Sequence, residues 1–191
     1  HSEAIREIAK KPFDRAVFLG TGTLHGCAVE SALKLQELSN GRVICMPDTF
    51  MGVRHGPEVA IDDETLVVYF VSSDPFVRRY ELDLMESVWA KGLGMIRVAV
   101  CDRADGEIER YTNYTIEFDE GGKYEIPDLY RPVMDVTVGQ MLGLFKSLAL
   151  NLKPDNPSES GVITRVVKGV RIYDPDEFKR SGRFKVIVSR D

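Results

Sequence analysis

The sequence predicts an α/β fold, a doubly wound and mainly parallel sheet flanked by helices in a flavodoxin-like three-layer sandwich. Two observations carry the prediction. Four short runs, "RAVFLG", "RVICM", "TLVVYFV" and "MIRVAVC", are apolar with almost no polar alternation, the pattern of strands covered on both faces. The stretches that join them carry helix signals, so strand and helix alternate along the chain.

The elements follow in order. Residues 2–10 place Ala4, Ile5 and Ile8 at helical spacing among charges, and "KKPFD" stops them before the first strand. "FLGTGTLHG" is a Gly-rich turn leading into "CAVESALKLQELS", a helix free of Pro and Gly that "NG" at 40 and 41 closes. After "RVICM" and "TLVVYFV", the segment "DPFVRRYELDLMESVWAKG" has Asp74 as N-cap, Pro75 at the first helical position and Gly92 at its end. "MIRVAVC" then completes a strand–helix–strand unit. "YTIEF" reads as a weaker strand, and a long apolar helix starts near Pro132 and ends at "KPDNPSESG". From Asp174 charges crowd around an isolated "FKVIV", which reads as a C-terminal extension over 174–191.

Composition narrows the function. The chain has 191 residues, 43% hydrophobic and 29% charged, and a formal net charge of -5, values of an ordinary globular chain able to bury one good core. With an isoelectric point near 5.3, nothing in the charge favours nucleic acid or anionic lipid, and small-molecule or protein partners are expected. Cys27, Cys45 and Cys101 are odd in number and lack disulfide or C-x-x-C spacing, which fits a reducing cytoplasm. No run approaches the roughly 18 apolar residues of a membrane span. The chain begins with His1 in place of methionine, which points to a piece of a longer protein.

Candidate chemistry sits at few places. Gly20, Thr21, Gly22 and Thr23 form the turn between the first strand and its helix, where backbone N–H groups can approach an anionic or sugar ligand, although any tight turn uses glycines too. On the following helix Glu30, Lys34 and Glu37 fall within an arc of roughly 60°, nearly surrounded by apolar positions. This stripe is either solvated surface with Glu30 and Lys34 paired at i,i+4, or a general base beside a lysine at the edge of a buried helix. In "MGVRHGPEVAID", His55 is either an ordinary loop residue or a ligand group on a loop that Gly56 and Pro57 hold extended and rigid at the carboxyl side of the sheet. Arg54 beside it is a candidate substrate contact, as is Glu30. Ser72, Ser73 and Asp74 could hold a ligand but also read as a plain helix start. Lys168, in an otherwise apolar run, is either desolvated and reactive towards carbonyls or snorkels to water. No H-x-x-H or H-x-x-E spacing supports a metal site.

Taken together, "ESALKLQELS", "RHGPEVAIDD" and "KPDNPSESGVITRVVKGVRIY" resemble the second sugar-isomerase (SIS) domain of the AgaS-type tagatose-6-phosphate ketose/aldose isomerases, which are amino-sugar-phosphate deaminase/isomerases. The spacing is similar to that in the isomerase half of glucosamine-6-phosphate synthase, and the likeness runs from Ala4 to Tyr173. The resemblance implies a SIS domain over 1–173 and a homodimer or higher homo-oligomer acting on a sugar phosphate, with no metal or organic cofactor. It implies that Glu37 moves the proton between C1 and C2 of the open-chain sugar and that Lys34 assists. His55 would open the sugar ring and reach into the neighbouring subunit, and Lys168 would contact the carbonyl end. One departure matters: these families hold the phosphate on an S-x-S-G-x-[ST] loop in the first SIS domain, and Ser72 and Ser73 do not match it. The chain is therefore expected to be the second half of a two-domain enzyme. The alternative is a non-catalytic sugar-phosphate-binding regulatory module.

Overall fold

A computed structural model describes residues 1–156, 158, 160, 161 and 169–176. Contacts divide the chain into two units, residues 1–159 and residues 160–191, where the sequence placed its boundary at 173/174. In the second unit the described part is irregular apart from the start of a turn at Pro175, where the Asp176 amide donates to Asp174 Oδ1 at 2.9 Å. The Lys168 expectation lies outside the described residues.

The first unit is a five-stranded sheet in the order β2-β1-β3-β4-β5, with β1 at Arg15–Gly20, β2 at Ile44–Asp48, β3 at Thr65–Phe70, β4 at Ile96–Cys101 and β5 at Tyr114–Glu117. All four pairings are parallel, which bears out the expected fold class. Side chains alternate across the sheet. Ala16, Phe18, Val68, Phe70, Val98 and Val100 face a core closed by α1 (Ser2–Ala9), α2 (Thr23–Leu38) and α6 (Pro132–Ala149). Val17, Leu19, Val67, Tyr69 and Ala99 face the other core, closed by α3 (Phe50–Arg54), α4 (Pro75–Ala90) and α5 (Gly106–Tyr111).

Local chemistry accounts for the boundaries. Asp74 caps α4 by accepting from the amides of Phe76 and Val77, with Pro75 in the first turn, as expected. α2 begins four residues earlier than its apolar pattern, because Gly22 at φ 59° turns the chain straight from β1 into the helix. β2 is shifted to start at Ile44 and runs through Pro47, which an edge strand tolerates because its free side needs no donor. α3, a 3-10 turn at Pro57–Ala60 and α5 are additions that the sequence reading did not contain. Each is six residues or fewer, too short to show a periodic stripe.

The pairing of α2 with α6 sets where the charged stripe of α2 sits. It depends on two glycines one turn apart on α6. A Cβ on Gly139 would lie 2.0 Å from Ser31 Oγ and 2.8 Å from its Cα, and one on Gly143 would lie 3.1 Å from the Lys34 carbonyl oxygen. The helices touch backbone to backbone at the turn that carries Lys34. We predict that Gly139→Ala forces them apart and costs about 1–3 kcal/mol in urea or thermal unfolding; unchanged stability would show that the contact is slack.

Candidate functional site

In an all-parallel sheet every strand points the same way, so every crossover helix starts at the carboxyl edge and returns to the amino edge. That places the candidate residues in three different locations.

The first is the carboxyl edge where β1 and β3 part, the switch point of this strand order. Gly20 ends β1 against α2: a Cβ there would sit 2.4 Å from the Leu24 carbonyl oxygen, so only glycine fits. Thr21 lies against the Glu81 carboxyl, and Thr23 donates its hydroxyl to the Asp128 carbonyl at 2.9 Å. Across the switch point Ser72 donates to Asp128 Oδ2 at 2.5 Å, while the amide and hydroxyl of Ser73 donate to Asp128 Oδ1 at 2.9 and 2.7 Å. Arg131, with no exposed surface, donates to Asp128 Oδ1 at 3.1 Å, to the Val71 carbonyl at 2.7 Å and to Asp135 Oδ2 at 2.7 Å. Glu81 is also buried and accepts from the Ser72 amide at 2.7 Å.

Sequence reading missed this network. Its signal was there: Asp128, Arg131 and Asp135 are spaced i−3 and i+4 around the start of a helix, and Glu81 occupies a core position of α4 together with Leu84, Met85 and Val88. Burial pushes the Glu81 carboxyl up to about 7 and that of Asp135 up to about 6. Burial acts on Asp128 in the same direction, but the hydroxyl, amide and arginine donors outweigh it and hold that carboxyl below its ordinary value.

The second location is the last two turns of α2. Lys34 Nζ lies 2.8 Å from Glu37 Oε2 and 3.8 Å from Glu30 Oε1, so the closer partner is Glu37 at i,i+3, where the surface reading had paired Lys34 with Glu30. The hydrogen bond to Glu37 is the main cause that keeps the Lys34 ammonium above its ordinary value. It therefore acts as a fixed cation. The Glu37 side chain is 53% exposed in the single copy, with Val29 and Leu33 exposed alongside it. From Thr23 to Glu37 the helix rises about 21 Å, so Gly20, Thr21, Gly22 and Thr23 do not share a small pocket with Glu37.

The third is the segment after α3, on the opposite face of the sheet from α2. Arg54 ends that helix and His55 caps it, both exposed. The backbone here corrects the sequence expectation of an extended loop: His55 has ψ 27° and Gly56 has φ 140° and ψ -50°, a sharp reversal that only glycine makes without strain. Pro57 then opens the 3-10 turn, which a 2.7 Å ion pair from Lys91 to Glu58 ties to the end of α4. α3 packs on α4 and on this turn, whereas α2 packs on α6, β1 and β2. Within one copy, the structure joins Arg54 with His55 and Lys34 with Glu30 and Glu37, but does not join the two groups.

Other features carry less chemistry. Among the described residues no group of three or more His, Cys, Asp or Glu is placed to hold a metal ion, and no helix is long and apolar enough to cross a membrane. Burial pushes the thiols of Cys27 up to about 11 and of Cys45 and Cys101 up to about 12, so all three stay protonated. A shallow apolar hollow of about 340 Å³ lies between α2 and α6 and is lined by Gly26, Cys27, Pro132, Val133 and Val136.

The buried carboxyls predict a pH dependence. Glu81 titrates near 7 in the folded chain against an ordinary 4.5, so between those values the folded state holds the extra proton. Stability then falls as pH rises through this window, by up to about 3 kcal/mol, and the penalty is complete above pH 7. Asp135 adds to it with the same sign below about 6. Glu81→Gln should flatten the decline in melting temperature between pH 5 and 7.5; an unchanged slope would remove Glu81 as its source.

Comparison with known proteins agrees with this architecture. No protein-family profile matches the chain. It is 36% identical over 162 residues to the D-galactosamine-6-phosphate deaminase AgaS of Escherichia coli, an overlap of 85% of this chain and 41% of that relative. It is 31% identical over 169 residues to the AgaS deaminase of a Shewanella strain, 88% and 40% of the two chains. The chain thus spans about two fifths of the length of these relatives. Among solved structures, the tagatose-6-phosphate ketose/aldose isomerase of Escherichia coli superposes with a TM-score of 0.71 at 34% identity, over 76% of this chain and 38% of that one. A Clostridium novyi structure provisionally assigned the same activity reaches 0.81 at 38% identity, over 90% and 44%. The sequence resemblance, the all-parallel sheet and these relatives agree in supporting an AgaS-type SIS domain.

Proposed function

We propose that this chain is one half of a sugar-phosphate aldose/ketose isomerase or amino-sugar-6-phosphate deaminase/isomerase, acting on a substrate of the galactosamine 6-phosphate or tagatose 6-phosphate type. The observation that carries the reading is the Lys34–Glu37 pair: a carboxylate bonded at 2.8 Å by a lysine that stays protonated, on the exposed side of a helix whose other side is buried.

The chemistry needs three operations. A sugar ring opens when a proton moves from the anomeric hydroxyl, on C1 of the aldose or C2 of the ketose, to the ring oxygen, and the His55 imidazole on the exposed loop is a side chain able to carry it. In the open chain Glu37 takes the C2 proton, the electron pair passes through the C1–C2 enediol or enolamine, and the same carboxyl returns a proton at C1. Lys34 orients Glu37 and offsets charge that develops on the substrate oxygens. With an amine at C2 the product is a ketimine, which water hydrolyses to the ketose and ammonia. Arg54 and Glu30 would contact substrate, whereas the turn from Gly20 through Gly22 to Thr23, about 21 Å along α2 from Glu37, lies beyond the reach of the same sugar within one copy. No step calls for a metal or organic cofactor.

His55 and Glu37 lie on opposite faces of the sheet in one copy, so the reading requires a dimer, or a larger homo-oligomer, in which one chain's His55 meets the other's Glu37. The exposed Val29 and Leu33 beside Glu30, Lys34 and Glu37 support burial of that turn by another surface. The sugar's phosphate would be held by a further SIS domain of the whole protein, and the three protonated cysteines suit the cytoplasm.

In the full-length protein Glu37→Gln is expected to lower turnover of galactosamine 6-phosphate or tagatose 6-phosphate by at least about 100-fold, with a smaller change in KM. Wild-type turnover in the variant would remove Glu37 as the base. If the wild-type protein is stabilised by these sugar phosphates yet forms no product, the regulatory-module reading replaces the enzyme.

A further inference from the structure

The carboxyl end of β3 carries a set of donors that all point at one place. The Ser72 hydroxyl, the Ser73 amide, the Ser73 hydroxyl and the Arg131 guanidinium converge at 2.5, 2.9, 2.7 and 3.1 Å on the two oxygens of one carboxylate. Two hydroxyls, a backbone N–H and a fixed guanidinium, beside the start of the sixteen-residue helix α4, are the donor set that takes up a phosphate or sulfate. The place also adjoins the switch point, where open α/β sheets hold ligands. Here it holds Asp128. We infer that the carboxyl end of β3 is an oxyanion cradle whose occupant is the chain's own Asp128 carboxylate, so that phosphate is kept out of this half of the protein while Asp128 fills it.

Three features show that the occupancy is built. Asp128 does not belong to the sheet; it is delivered by the segment between β5 and α6. That segment is shaped by a second internal carboxylate, because Asp119 accepts from the amides of Lys123, Tyr124 and Glu125 at 2.8 to 2.9 Å. The Thr23 hydroxyl then holds the Asp128 carbonyl from the start of α2. Arg131 is wholly buried and also bonds the Val71 carbonyl at the end of β3, so the cradle's cation is locked in position whatever sits in front of it. The Asp128 side chain keeps 23% of its surface exposed, so the place it fills opens to solvent and a small anion could reach it.

A buried polar atom borders the cradle as well. Glu81 accepts the Ser72 amide with one oxygen, while its other oxygen, Oε1, is buried and has no hydrogen-bond partner among the described residues. With a proton on it that oxygen is one more donor for an oxyanion, and with none it adds to the repulsion. A phosphate cannot share the site with Asp128, since the carboxylate takes every donor and like charges a few ångströms apart repel. This inference is independent of the isomerase reading, because it concerns anion binding and not turnover.

The test is phosphate binding after the occupant is removed. Asp128→Ala is titrated with inorganic phosphate by calorimetry and by melting temperature, against sodium chloride at equal ionic strength and against the wild-type chain. The expected result is a saturable phosphate-dependent rise in melting temperature in the variant beyond any wild-type response, abolished when Ser73→Ala is added. Where the alanine variant does not fold without phosphate, Asp128→Ser is measured in the same way. Folded variants whose phosphate response equals that of the wild type would overturn the proposal, as would a gained response that survives loss of the Ser73 hydroxyl.

Discussion

Parallel strand pairing is the constraint on which the rest of this molecule depends. Because β1 to β5 all run the same way, each helix must return along the sheet, and its two ends serve opposite edges. α2 therefore presents glycines and threonines at the carboxyl edge and its lysine–glutamate pair at the amino edge, about 21 Å away. The histidine loop, which follows the next strand, falls on the other face. A single copy thus carries the pieces of the proposed proton-transfer site but holds them apart. The same geometry that makes the fold stable makes association part of the proposed chemistry.

The carboxyl edge shows what such a fold does with its usual ligand place when the ligand is supplied from within. Ser72, Ser73 and Arg131 surround Asp128, and the same arginine bonds Asp135 and the ends of β3 and β4. One buried cation faces three carboxyls, two of which burial pushes up to about 6 and 7. Breaking such a network leaves a buried charge without a partner, which is the costly event. The α2–α6 contact plays the corresponding part on the other side: Gly139 and Gly143 let the helices close until Ser31 and the Lys34 backbone touch α6.

Much of the fold was legible in the sequence, because continuous β-branched runs and a capped, proline-initiated helix have few other readings. β1, β3, β4, α4 and α6 follow from them directly. The short elements did not, since α3 and α5 complete less than two turns and are held by tertiary contacts and an Asp105 cap. β2 was displaced because Pro47 hides an edge strand. At the candidate site, helix arithmetic grouped Glu30, Lys34 and Glu37 correctly, but it could not say which acid lies nearer the lysine; rotamers decided for Glu37. The extended backbone expected at Gly56–Pro57 gave way to a reversal because Gly56 is free to take φ 140°. Asp128 was invisible as a functional group because its partners, Ser72 and Ser73, are more than fifty residues away in the chain.

The central claim is that the proton-transfer site combines Glu37 of one copy with His55 of another. Mixing full-length Glu37→Gln with full-length His55→Ala after dissociation and reassociation tests it directly, because a mixed dimer rebuilds one intact site from the two undamaged residues. The account predicts two inactive parents whose mixture recovers up to about a quarter of wild-type turnover, the yield of random pairing into two-fold dimers. A mixture of properly reassociated mixed dimers as inactive as its parents would contradict it.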